Sequence, residues 1–72
     1  MVGNATAAEL WLSAAKRGHV AAMFNIGMCF EYGHGVIQSD DSACEWFRKA
    51  ASRGHIEALD KIESHMTRAG GN

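Results

Sequence analysis

The chain repeats itself at a spacing of 36 residues, and that repeat limits what it can fold into. Residues Ala7 to Ile26, AAELWLSAAKRGHVAAMFNI, lie over Ala43 to Ile62, ACEWFRKAASRGHIEALDKI. Nine of the twenty aligned positions are identical, where chance would give about one or two. They include an unbroken run, Arg17-Gly18-His19 over Arg53-Gly54-His55. Several mismatches exchange like for like: Trp11 for Phe47, Val20 for Ile56, Met23 for Leu59. A period of about 20 to 50 residues marks a stacked-repeat architecture, in which each unit buries its apolar face against its neighbour. Folds of this kind more often bind than catalyse, so the repeat bears on function as well.

Within each unit the apolar spacing is helical. Ala22, Met23, Ile26 and Phe30 follow an i, i+1, i+4, i+8 pattern, and Ala43, Trp46, Phe47, Ala50 and Ala51 behave alike. No period of two is sustained, which excludes strands. Proline is absent, so glycine supplies the punctuation. The expected helices run over about 7–17, 20–32, 41–53 and 56–68, in one domain spanning the chain. Thr6 with Glu9 reads as a capping box for the first helix. Ser42 with Glu45 repeats it one period later, and Ser39 can also cap there. Gly18, Gly33 and Gly54 end helices, and Gly33 to Gln38 form a loop. The expected fold class is all-α, a short α-solenoid of about four antiparallel helices. Gly27, Ala22, Ala50, Ala51 and Ala58 would let helix axes approach, with Phe30, Trp46 and Phe47 filling the gaps.

Composition narrows the function classes. Seventy-two residues make one small domain, and a core of this size rarely supplies more than roughly 3–5 kcal/mol unaided. The hydrophobic fraction of 47% is too high for a chain disordered by composition. Net charge is −1, and no Lys/Arg cluster exceeds two residues, so no nucleic-acid partner is expected. No apolar run approaches the roughly 18 residues of a membrane span. The N-terminal segment has neither a basic nor an apolar signal region, which leads us to expect a cytoplasmic protein. Two cysteines without a disulfide framework fit a reducing compartment.

At this point the residues resemble a known family. Ala22-x3-Ile26-Gly27-x2-Phe30-x2-Gly33-x-Gly35-Val36 is followed by Ala43-x2-Trp46-Phe47-x-Lys49-Ala50-Ala51-x2-Gly54-x3-Ala58. This pattern, covering residues 7 to about 66, resembles the Sel-one-like repeat, a branch of the tetratricopeptide-like helical repeats. The resemblance implies antiparallel helix pairs stacked into a right-handed superhelix. It also implies an adaptor or scaffold that binds proteins on a concave face lined by the first helix of each pair. The chain departs from the family at Ile37 and Ser39, where the family usually has Pro and Asp nearby. Glu63 aligns with Gly27, and with no partner helix to follow it can face water as in a terminal cap.

The resemblance places Phe24, Asn25, Met28, Glu31 and Tyr32 of the second helix on that concave face. Their equivalents on the fourth helix are Asp60, Lys61, Ser64, Thr67 and Arg68. Phe24 and Met28 are apolar and polarisable, and Asn25 can both donate to and accept from a peptide backbone. The set therefore suits a protein or peptide partner. At the other end, Leu10, Trp11 and Leu12 give the first helix more apolar surface than the second can cover, with Leu12 standing where Arg48 stands one period later. Either a longer array or another chain would cover it, and a homodimer is one outcome.

Catalytic chemistry is not expected. His19 and His55 read as polar residues at helix starts, roughly 10 Å apart as one repeat spacing requires, too far to share a metal. His34 reads as a solvated loop residue and His65 as lying on the outer part of the last helix. Cys29 and Cys44 read as small buried residues, and Cys44 aligns with Ala8. Trp46 and Phe30 read as core. Neither an orienting acid nor an oxyanion hole accompanies Cys29 and His34, and no nucleotide or metalloprotease motif is present. No cofactor, metal or catalytic residue is expected.

Overall fold

The computed structural model describes residues 3–70, with side chains from 7 to 65. Over that span it forms four α-helices in sequence: α1 (Gly3–Lys16), α2 (Val20–Tyr32), α3 (Asp40–Ser52) and α4 (Ile56–Gly70). Each packs on the next, α1 on α2, α2 on α3 and α3 on α4. The result is an all-α stack, a slab measuring 38 × 25 × 14 Å. None of these helices is long and apolar enough to cross a membrane.

The repeated Arg-Gly-His run has a mechanical cause. The Gly18 amide donates to Ala15 and the His19 amide to Ala14, at 2.9 and 3.2 Å. One period later, the Gly54 amide donates to Ala51 and the His55 amide to Ala50, at 2.9 and 3.1 Å. This double bond pattern closes a helix through a left-handed residue. Gly18 and Gly54 hold φ of 98° and 97°, which a side chain would strain. The same chemistry therefore turns the chain the same way twice.

Helix starts differ from the sequence expectation in two places. α1 opens at Gly3, so Thr6 lies inside its first turn; its side chain is outside the described residues. α3 is capped by Ser39, not Ser42: the Ser39 hydroxyl accepts from the Ser42 amide at 3.1 Å. Ser39 is extended, at φ −158° and ψ 111°, as a cap residue must be, whereas Ser42 is already helical. Asp40 and Asp41 in the first turn and Lys49 in the last complement the α3 dipole. The Ser39 amide also donates to the Phe30 carbonyl at 3.0 Å, which ties the loop back onto the end of α2.

The core is built mostly of small residues. Ala8, Ala15, Ala22, Met23, Ile26, Ala43, Phe47, Ala50 and Ala58 are buried, and of these Phe47 and Ile26 are the large side chains fully removed from solvent. Phe47 sits against the backbone of Gly27: a Cβ placed there would lie 2.6 and 2.7 Å from two ring carbons. Real Cβ atoms do not approach that closely, so glycine is what allows α3 to pack on α2 at this distance. Phe30, expected in the core, is half-buried at its edge. Trp46 is half-buried as well, because it lies one position, or about 100° of helix, from Phe47.

Gly27→Ala should therefore destabilise the protein by about 1–3 kcal/mol, the cost of overpacking. For a domain of this size each kcal/mol lowers Tm by roughly 4–8 °C. Adding Phe47→Leu should make Gly27→Ala less costly than it is alone, which a double-mutant cycle by urea unfolding measures directly.

Candidate functional site

The inner sides of α2 and α4 meet through polar groups. Glu31 of α2 places Oε1 3.0 Å from the Lys61 Nζ of α4. Its Oε2 lies 3.3 Å from His65 Nε2. Lys61 also donates to the Tyr32 hydroxyl at 3.4 Å and lies 5.5 Å from that ring's centroid. Glu31 and His65 expose 13% and 10% of their side chains, and Lys61 25%. Burial pulls the Lys61 pKa down, but its bonds to Glu31 and Tyr32 and the Glu31 charge outweigh that, so the net shift is upward from 10.5.

The α2 residues expected on the concave face fall into three groups. Phe24 and Met28 are half-buried and pack against the core, so they are not free groove walls. The Phe24 ring stacks on His55 at 4.5 Å and tilts against Phe47 at 5.6 Å. Glu31 is engaged with α4 as described. Asn25 is half-buried, and Tyr32 is exposed at 54%. On α4, Asp60 and Ser64 are exposed and Lys61 is half-buried; the side chains of Thr67 and Arg68 lie outside the described residues. Of the expected set, Tyr32, Asp60 and Ser64 are exposed, and Asn25 and Lys61 are partly so.

The histidines have distinct positions. His55 Nδ1 accepts from the Ala58 amide at 3.2 Å and caps α4 while stacking on Phe24. His19 occupies the matching place before α2 but forms no side-chain cap bond. His34 is exposed, 5.9 Å from the Tyr32 ring. His65, expected on the outer part of the last helix, faces inward, with its ring 6.3 Å from Phe47. The correction follows from its position seven residues, close to two helical turns, after the buried Ala58, which places it on the same inward side of α4. Among the described residues no group of three or more His, Cys, Asp or Glu converges to hold a metal ion.

The two cysteines form no disulfide and are half-buried. Burial raises the Cys29 pKa above 9.0, which keeps its sulfur protonated and makes it a poor nucleophile.

The first helix presents its own surface. Leu10 is 66% exposed and Trp11 39%, while Phe47, the repeat equivalent of Trp11, is 0% exposed. Leu12, grouped with them on sequence grounds, is half-buried and packs against the core. The difference between Trp11 and Phe47 is positional: among the described residues α3 packs on both α2 and α4, while α1 packs mainly on α2.

The repeat, its two identical turns and the Phe47–Gly27 contact accompany a direct family match. The model of the Sel1 repeat matches residues 4–19 and 20–55. The chain belongs to the Sel1 repeat family. Proteins with this repeat typically mediate protein–protein contacts. The chain is 31% identical over 61 residues to chitin synthase regulatory factor 2 of Schizosaccharomyces pombe, covering 85% of this chain and 12% of that protein. It is 31% identical over 61 residues to the chitin synthase regulator SKT5 of Saccharomyces cerevisiae, covering 85% of this chain and 9% of that protein. It therefore spans about a tenth of the length of these relatives. No solved structure matches the chain.

The Lys61 cluster yields a pH prediction. A Lys whose pKa is raised on folding adds stability that is fully present below its unfolded pKa. That stability is lost as the pH climbs through the folded value. Lys61→Met should cost up to about 1 kcal/mol at neutral pH. The gap between wild type and variant should close as the pH is taken above 10.5, as read by urea unfolding of both proteins across that range.

Proposed function

We propose that this chain is a non-catalytic protein-interaction module, in which the α2–α4 face takes a peptide or a segment of a partner protein. The observation that carries the reading is the Glu31–Lys61 pair, which joins two helices not adjacent in sequence at 3.0 Å. It fixes the spacing of that face and leaves Tyr32 standing 54% exposed at its edge. A held aromatic with a polar rim is the kind of surface on which a few residues carry most of the binding energy. Asn25, Asp60 and Ser64 then orient a backbone laid across the face. Regulatory proteins among the relatives, two of them regulators of chitin synthase by name, support an adaptor role over an enzymatic one. Replacing Tyr32 and Asn25 with Ala should weaken capture of a peptide selected against the wild-type protein by about tenfold or more. Equal binding by wild type and double variant would contradict the assignment of this face.

A second reading, assembly through α1, is favoured by the exposure of Leu10 and Trp11. The repeat itself constrains the geometry of such assembly. If α1 of a second copy docked on α4 as α3 docks on α2, its Trp11 would meet Glu63 where Phe47 meets Gly27. Glu63 is exposed, and a carboxylate there blocks the close approach. Self-association is thus directed to α1 against α1, a two-fold contact in which the same surface serves both copies. Leu10→Glu should then shift the mass measured by light scattering from dimer to monomer, while an unchanged mass removes this reading.

A further inference from the structure

The opposite side of the slab carries a groove that the family's concave surface does not include. It opens between the C-terminal ends of α1 and α3, with a volume of about 410 Å³. Ala15, Met23 and Trp46 give it an apolar floor, and Lys16, Lys49 and Arg53 stand around it. No Asp or Glu is among the residues that line it. Three of the chain's seven Lys and Arg residues thus converge here, although the chain as a whole is at −1. The carbonyl ends of two helices also point this way, but each carries only about half a negative charge, so the groove remains positive.

Two of the cations are already positioned. Lys49 Nζ lies 4.6 Å from the centroid of the Trp46 ring, which holds the ammonium above an apolar surface. Arg53 Nη1 donates to the Gly18 carbonyl at 3.3 Å, across from α3 to the end of α1. That single bond leaves the other guanidinium N–H groups available for a carboxylate in fork geometry. The floor next to them, Trp46 with Met23 and Ala15, suits an aliphatic side chain.

We propose that this groove binds an acidic peptide segment, one in which carboxylates flank an apolar side chain. The carboxylates pair with Lys16, Lys49 and Arg53, and the apolar side chain lies on Trp46. A nucleic acid fits less well: it calls for a basic stripe that follows the phosphate backbone, whereas here three cations surround one apolar hollow. This site is separate from the α2–α4 face and stands whether or not that face binds a partner.

The test uses the whole chain, labelled for NMR and titrated with a short glutamate-rich peptide bearing a central leucine. The same peptide with glutamine for glutamate and a single-stranded oligonucleotide of equal charge serve as the comparison probes. The proposal expects shifts at the Trp46 indole and at the Lys49 and Gly18 amides with the glutamate peptide only, and affinity that falls as salt is added. It expects about tenfold weaker binding by the Lys16→Gln, Lys49→Gln pair, with binding retained by Lys16→Arg, Lys49→Arg. The proposal is overturned by any one of four results. These are no binding of the glutamate peptide, equal binding of the two peptides, stronger binding of the oligonucleotide, or shifts confined to the α2–α4 face.

Discussion

The Phe47 ring pressed on the backbone of Gly27 is the contact on which the remaining packing depends. Among the described residues only Phe47 and Ile26 are large side chains without solvent exposure, and burial of a phenylalanine contributes about 1.5–3 kcal/mol. In a domain whose whole margin is roughly 3–5 kcal/mol, one such contact is a large share. It also sets geometry. α3 reaches α2 only because residue 27 has no side chain. Phe24 tilts against the ring and is itself stacked on His55, and His65 approaches from α4. The four helices are ordered around one aromatic ring and the alanines beside it.

The consequences for function follow from what this arrangement leaves outside. A thin stack with an alanine-rich core has two broad faces and two ends, and each carries different chemistry. The α2–α4 face is held together by Glu31 and Lys61 and offers Tyr32. The α1–α3 side offers cations around Trp46. At the N-terminal end α1 shows Leu10 and Trp11, and at the other end Glu63 denies the approach that Gly27 permits. These surfaces differ in chemistry, and the half-buried Cys29 thiol is held protonated.

Much of this was legible in the sequence because the repeat displays each structural device twice. The Arg-Gly-His run marks two identical helix closures, and Gly27 reads as a position where helix axes can approach, which its contact with Phe47 bears out. The misreadings have one physical origin. Helical periodicity says which residues share a face but not which neighbour covers that face. Phe24 and Met28 are expected on the concave face and His65 on the outer part of α4, yet Phe24 stacks on His55, Met28 packs against the core and His65 reaches Glu31 of α2. Trp46 reads as a core aromatic alongside Phe47, but adjacent residues on a helix point about 100° apart, and Trp46 is half-buried. Ser39 and Ser42 both read as caps in the sequence, and the extended backbone that decides between them belongs to Ser39. The basic groove was not foreseen. Lys16 and Lys49 are 33 positions apart, not one repeat, so the alignment that reveals the fold hides their convergence.

Native-state hydrogen exchange, resolved residue by residue, tests the dependence on Phe47 and Gly27 most directly. The account predicts that the slowest amides lie in α2 around Ile26 and Gly27 and in α3 around Phe47 and Ala50, and that the two sets open together at the same free energy. Slowest exchange in α1 or α4, or separate opening of α2 and α3, would contradict it.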